Sequence, residues 1–388
     1  MSKLAISLLT SGTILASLNA ATIYVDESSG ELFSTPGKSR VVLGNLDSKS
    51  NTPLFAKSSK VKLSGKHYLG YTYRSQDVGS KGQFETRRNY LQVKAYLLDD
   101  PASYMRVTLD SFQVKDSGKI DGTWAIRLKY AYLYLNNILP YTSVEIGQAH
   151  RPWIDYEQKS SWHYRAISKT FTESKRAGNI TGSTDLGLNF QTRTPYFSSD
   201  IGIFNGEGYY GKEDGESVSL EYRLTAALLG NGNKKRKPTK MSYFDISTMG
   251  QYNIKNSLNS GKTYSYYGIH AVYNQPRFLL SAQYLSASND KDTTKKSGSG
   301  YSINATYRVG ESKKIALFGR YGIWSADDKL NDKTYDTLDT VVGLSYKQNS
   351  NITWIANANI FDPLDDKDYS GKDAVSHTDY MITAEVKW

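Results

Sequence analysis

The sequence predicts an all-β fold: a transmembrane antiparallel β-barrel of about sixteen strands, with short periplasmic turns at one rim and long extracellular loops at the other. Three observations carry that expectation. Apolar and polar residues alternate with period two over stretches of about 8 to 10 residues, many times along the chain. The connections between these stretches alternate between tight and long. The last stretch sets Tyr380, Ile382, Ala384, Val386 and Trp388 on one face, and the chain stops on that aromatic.

Composition supports the first observation. The 388 residues include 31 Tyr and 31 Gly but only 9 Pro, with 13% aromatics and a mean hydropathy of −0.54. A polar chain rich in Tyr and Gly suits strands with one apolar and one polar face, and it lacks the Ala, Leu, Glu and Lys excess of helix bundles. No cysteine is present, which excludes disulfides, zinc knuckles and thiol chemistry. The net charge of +10 and pI of about 9.2 raise nucleic acid as a partner. The Lys and Arg residues, however, are dispersed singly along the expected strands, and only 234–237 form a run, so nucleic acid is not expected.

Residues 1–20 read as a secretory signal peptide. Lys3 opens it, 4–18 is apolar but diluted by Ser, Thr and Gly, and Ala20 and Ala21 offer a cleavage site. The run falls short of the roughly 20 apolar residues a membrane helix needs. Residues 22–60 are polar, with turn signals at Ser28-Ser29-Gly30 and Pro36-Gly37, and read as a periplasmic lead or a partial plug. The barrel is expected over 61–388.

Alternation defines each strand. Leu91, Val93, Ala95 and Leu97 oppose Tyr90, Gln92, Lys94 and Tyr96; Ile303, Ala305, Tyr307 and Val309 oppose Ser302, Asn304, Thr306 and Arg308. The expected spans are 61–75, 88–99, 103–113, 123–136, 141–149, 183–192, 196–204, 216–227, 240–252, 263–274, 277–287, 299–309, 313–325, 335–348, 351–361 and 378–388. Asp100-Pro101, Thr194-Pro195, Gln275-Pro276 and Gly310-Glu311 supply tight turns. The connection 228–239 breaks the rule: it is long where a tight turn is due. Either that turn is extended or the count is off by a hairpin, giving 18 strands. In lipid every backbone N–H and C=O must be paired, so strands can span only in a closed barrel. Tyr71, Tyr73, Trp124, Tyr130, Tyr132, Tyr134 and Trp354 are expected in aromatic girdles at the two interfaces.

The terminal stretch ending at Trp388 resembles the signature by which the outer-membrane assembly machinery recognises porins. With the loop asymmetry, 61–388 resembles a bacterial porin of the trimeric, sixteen-stranded type. Ile23-Tyr24-Val25-Asp26, Pro36-Gly37 and Gly147-Gln148-Ala149-His150-Arg151-Pro152-Trp153 are similar to segments of the phosphate-selective-type porins and their Campylobacter-branch relatives. The resemblance implies passive diffusion of small hydrophilic solutes. It also implies a homotrimer in the outer membrane of a Gram-negative bacterium, in contact with lipid and lipopolysaccharide.

Side chains opposite the apolar faces should line the lumen. By parity the lumen cations are Lys62, Lys66, Arg74, Lys94, Arg106, Arg127, Lys129, Arg223, Arg308, Arg320 and Lys387. The acids are Asp110, Glu145, Asp185, Glu221, Asp245 and Glu385. This excess of positive charge favours small anions over cations. The longest loop, 150–182, interleaves Arg151, Arg165 and Lys169 with Trp153, Tyr156, Trp162 and Tyr164. It is expected to fold into the barrel as a constriction that binds anionic or ring-bearing solutes. The alternative is a surface loop packed on a neighbouring subunit or on lipopolysaccharide. Asp366 to Gly371 echoes the start of a calcium loop, but His377 stands where position 12 needs an acid, so a solvated acidic loop is expected and no metal or cofactor. No G-x-S-x-G or H-E-x-x-H occurs, so no enzyme is expected. A non-conducting adhesin or structural barrel with exposed loops remains the alternative function.

Overall fold

The computed structural model describes residues 22–26, 32–33, 35–45, 60–76, 79–96, 98–114, 122–209, 211, 217–255, 264–289, 297–328, 333–365 and 375–388. The signal peptide expected at 1–20 and the calcium-loop echo at 366–371 lie outside the described residues.

The chain divides into two compact units, residues 1–63 with 94–97 and residues 64–93 with 98–388. In the first, β1 (Thr22–Asp26), β2 (Leu32–Phe33) and β3 (Arg40–Asn45) form a sheet in the order β2-β1-β3. Arg40 closes it by lying over the Phe33 ring, 3.3 Å from its centroid.

The remaining strands form a closed antiparallel barrel of sixteen. They are β4 (Val61–Gln76), β5 (Lys81–Ala95), β6 (Tyr104–Gln113), β7 (Trp124–Leu139), β8 (Thr142–His150), β9 (Thr184–Arg193), β10 (Phe197–Phe204) and β11 (Ser217–Leu229). Then follow β12 (Tyr243–Lys255), β13 (Tyr264–Asn274), β14 (Phe278–Asn289), β15 (Gly298–Val309), β16 (Ile315–Asp328), β17 (Lys333–Lys347), β18 (Ile352–Pro363) and β19 (His377–Lys387). Every expected span corresponds to one strand, in order. β5 starts and ends earlier than its alternation suggests, because the strand already runs through 81–87, where three of the seven residues are charged, and stops at Ala95. The long 228–239 connection is an extended turn and the count of sixteen stands: β11 ends at Leu229 and β12 begins at Tyr243.

Burial is inverted relative to a soluble protein. On β15, Tyr301 and Ile303 are 42% and 44% exposed, while Ser302 and Asn304 between them are 0% and 3% exposed. A belt of exposed Leu, Ile, Val and Tyr around a polar interior is stable only against a hydrocarbon solvent, so this is a transmembrane barrel of the outer-membrane type. Tyr71, Tyr73, Trp124 and Trp354 lie on the outer surface, as expected.

Tyr130, Tyr132 and Tyr134 do not. The β6–β7 register pairs Thr108 with Tyr130 and Leu109 with Leu128, leaving Lys129 as an extra residue. A bulge of this kind reverses the in–out parity of everything beyond it. Arg127 and Lys129 therefore point inward before the bulge, and the three tyrosines point inward after it. Tyr130 and Tyr132 are buried in a lumen cluster against which Tyr134 packs.

Closure pairs β19 with β4 from Lys387↔Lys66 to His377↔Gln76. Trp388 fastens the seam: Gly65 N donates to its carbonyl (2.9 Å), its own N–H donates back to Gly65 O (3.2 Å), and its indole Nε1 donates to His67 Nε2 (3.0 Å). A Cβ at 65 would stand 2.3 Å from the Trp388 ring, so any other residue there would displace that ring from the seam.

Ile303 sits mid-strand on the outer face. Ile303→Arg should destabilise the barrel by about 2–4 kcal/mol, while Asn304→Ser on the inner face should change little. Urea refolding in lipid bilayers, followed by heat-modifiable mobility, measures both.

Candidate functional site

The β8–β9 connection, 151–183, is the longest, and it folds into the lumen. Its sequence explains why. Helix α1 (Ile154–Ser160) carries Asp155 and Glu157 in its first turn and Lys159 in its last, matching the helix dipole, and Lys159 bonds Asp155 at 2.5 Å. Around it, Trp153, Ile154, Phe171, Ala177 and Ile180 supply an apolar surface that water would reject. They pack on Met249, Tyr264, Tyr266, Leu285 and Trp324 of the wall. Further along, Trp162, Tyr164, Ala166 and Ile167 pack on Tyr68, Phe318, Val341, Ile355 and Met381, with Tyr164 stacked on Phe318 at 3.6 Å.

Wall side chains then satisfy the loop's backbone, which would otherwise be buried without partners. Tyr243 Oη donates to Ser160 O (2.6 Å) and Tyr264 Oη to Ile180 O (2.8 Å). Arg320 Nη1 donates to Lys169 O (2.6 Å) and Asn359 Nδ2 to Ile167 O (2.9 Å). The loop is thus fixed to the wall from β12 to β18.

Beyond Tyr68 of β4, which packs on it, and Arg87 of β5, whose Nε donates to Ala166 O (3.2 Å), the loop's other edge faces β4 to β8 across open space. A cavity of about 400 Å³ lies there, lined by Lys66, Tyr90, Arg106, Lys129, Lys159 and Arg165 among others. A second, of about 760 Å³, shares Lys66, Lys159, Arg165 and Lys387 and reaches the short-turn rim. On the other side of 167–169 lies a third, of about 530 Å³, bordered by Arg74, Arg87, Lys169, Arg176 and Asp379.

Most lumen guanidiniums share carboxylates. Asp110 takes Arg88 (2.6 Å) and Arg127 (3.0 Å); Asp200 takes Arg193 (2.5 Å) and Arg223 (3.1 Å); Asp379 takes Arg74 (2.7 Å) and Arg176 (2.5 Å). Glu173 takes Arg165, and Lys169 at 3.2 Å. Two cations on one carboxylate leave a local positive excess. Burial would raise the Glu173 carboxyl, yet Arg165 and Lys169 hold it far below the usual carboxylate range. Of the wall cations lining the first cavity, three form no ion pair among the described residues. They are Lys66; Arg106, which donates to Tyr132 Oη (3.1 Å) and lies 4.1 Å over the Tyr130 ring; and Lys129, which donates to Tyr90 Oη (2.8 Å).

The expected site residues are therefore dispersed. Lys66, Arg106, Lys129, Arg165, Lys169 and Arg223 border the cavities. Arg151 does not: its guanidinium is buried against Glu221 and Gln251, where it anchors the start of the loop. Arg127 is held by Asp110, and Arg320 pairs with Asp339 at 2.7 Å. Arg308 donates to Asn274 Oδ1 (3.2 Å) near the short-turn rim. Lys62, over the Tyr96 ring at 4.9 Å, and Lys94 lie in the other compact unit and border none of the three cavities. The parity count missed Asp200, Asp339 and Asp379, which neutralise part of its positive excess. Asp339 and Asp379 each precede an outward residue, Thr340 and Tyr380, so alternation could have found them. Arg87 and Arg176 carried no such signal.

No family model and no curated protein matches this sequence. By fold, the chain is similar to the outer-membrane expressed OmpT of Vibrio cholerae (14% identity, TM-score 0.56, 86% of this chain and 99% of that one). It is also similar to an anion-selective porin from Comamonas acidovorans (13%, 0.58, 84% and 99%) and to OprB of Pseudomonas putida (10%, 0.60, 85% and 94%). At such identity the likeness is one of fold. The neighbours include outer-membrane porins with a sixteen-stranded barrel.

Arg151→Met would leave Glu221, whose side chain is 1% exposed, buried without its cation, and should cost about 3–5 kcal/mol in the same refolding assay. Glu157 gives a pH dependence. Burial pushes its carboxyl up to about 7, although Gln283 Nε2 (2.9 Å) and Trp153 Nε1 (2.9 Å) donate to it. A carboxyl raised in the folded state contributes stability that is full below its unfolded value and lost as pH rises through about 7. Hydrogen exchange of 153–173, corrected for intrinsic rates, should show protection falling from pH 4.5 to 8. Glu157→Gln should flatten that profile.

Proposed function

We propose that the chain is an outer-membrane porin, a passive diffusion channel in which loop 151–183 is the constriction and small anions cross more readily than cations. One observation carries the reading: the free edge of the loop and the facing wall enclose cavities in whose lining lysine and arginine outnumber carboxylates, some of these cations sharing a carboxylate and some with none. Fixed positive charge lowers the entry barrier for anions and raises it for cations. The low dielectric of the loop and wall extends that field beyond what open water allows.

Lys66, Arg106 and Lys129 are the residues assigned to the anion path, with Arg165 and Lys169 on the loop side. Their guanidinium and ammonium groups match carboxylate and phosphate oxygens, in keeping with the resemblance to phosphate-selective-type porins. A homotrimer in the outer membrane, bounded by lipid and lipopolysaccharide and inserted through the strand that ends at Trp388, completes the reading.

Planar-bilayer recording tests it. The purified protein should insert in conductance steps, and a KCl gradient should give a reversal potential of higher chloride than potassium permeability. Arg106→Gln combined with Lys129→Gln should move that potential toward potassium. Silence, or potassium selectivity in the unaltered protein, overturns the reading.

A further inference from the structure

The β11–β12 connection, 230–242, stands at the rim where every neighbouring connection is tight, and it is ordered across that rim. Gly230, with φ +86°, turns the chain back. Gly232 N then donates to Pro195 O in the β9–β10 turn (2.7 Å). Asn274 Nδ2 donates to Pro238 O (3.0 Å) and Met241 O (2.6 Å), and Lys313 Nζ from the β15–β16 turn donates to Thr239 O (3.3 Å). The segment thus touches two other turns and the end of β13 rather than hanging free as a solvated basic run.

Arg236 reaches back from it into the barrel. Its guanidinium lies 4.6 Å over the Tyr243 ring and bonds both oxygens of Asp245, at 2.6 and 2.5 Å. Asp245 also accepts from Tyr156 Oη of α1 at 3.0 Å, and Tyr243 Oη holds Ser160 O at the end of α1. One carboxylate therefore ties the rim segment to the constriction loop. Between them lies the cavity of about 760 Å³, bounded by Lys159 and Arg165 of the loop on one side and by Lys234 and Lys235 on the other. Nine lysine and arginine side chains line it against three carboxylates.

We propose that residues 230–242 form a second, periplasmic selectivity element. It is a cationic lip, positioned through Arg236 and Asp245, in which Lys234 and Lys235 concentrate small anions at the inner mouth of the pore. The inference rests on the porin reading. A charge on the lip sits at one mouth of the pore, so a reagent reaches it most readily from that side, and its field fades as salt shortens the Debye length from about 10 Å at 0.1 M to about 3 Å at 1 M.

The absence of native cysteine permits a direct test on the whole chain. Lys235→Cys, and separately Lys234→Cys, are reconstituted in planar bilayers and exposed to a thiol-reactive sulfonate in one chamber at a time. Modification from the short-turn side should lower anion current and move the reversal potential toward potassium, more at 0.1 M than at 1 M KCl. Modification from the loop side should be slower. Both positions are exposed, so folding is unaffected, and mass spectrometry verifies labelling. If the unaltered protein conducts but labelled variants keep its conductance and reversal potential, the lip is overturned and the porin reading stands. If the unaltered protein is silent, both fall. Arg236→Gln, with heat-modifiable mobility intact, should weaken anion preference without any label; unchanged preference overturns the positioning role of Arg236.

Discussion

Backbone pairing in a solvent that offers no hydrogen bonds is the constraint from which the rest follows. An edge strand facing hydrocarbon would leave a row of N–H and C=O groups unsatisfied, at several kcal/mol each. The ladder must therefore run all the way round, and here it does so where Lys387↔Lys66 begins the β19–β4 seam. Closure fixes parity: on each regular strand one face meets lipid and the other meets the lumen. Every charged strand residue on a regular strand that serves the interior owes its position to that alternation.

Parity then sets the interior's chemistry. Carboxylates and guanidiniums that would be ruinous on the lipid face are collected inside, where they can pair. They pair unequally, since Asp110, Asp200 and Asp379 each hold two arginines. The positive excess that results is a property of stoichiometry at each carboxylate, not of a single long row of free cations. The aromatics around these groups act with them, as Tyr130 does under Arg106.

A folded loop inside a barrel needs two kinds of support, and this one has both. Trp153, Trp162 and Phe171 give it apolar mass to bury against the wall. Tyr243, Tyr264, Arg320 and Asn359 answer its backbone carbonyls. Wall strands β12 to β18 carry most of that support, and the open passage falls on the opposite side, along β4 to β8, where the loop still meets Tyr68 and Arg87. The position of the pore is thus set by where the loop is least attached.

The sequence by itself determined the place of each strand to within a few residues, the alternation of short and long connections except at 228–239, and the inward face of most regular strands, and it narrowed the count to sixteen or eighteen, because period-two alternation and turn chemistry are local and survive without tertiary information. Arg106, Lys129, Arg223 and Arg320 were legible in this way, and Asp339 was legible in principle. Only the tertiary structure decided the rest. The bulge at Lys129 moved Tyr130, Tyr132 and Tyr134 from an expected girdle to the lumen, since one extra residue in a ladder leaves no mark in a periodic pattern. It also decided that Arg151 is bound to Glu221, 70 residues away, and that the 230–242 connection docks on two other turns and the end of β13. Pairings of that range depend on which side chains closure brings face to face, and no local pattern encodes them.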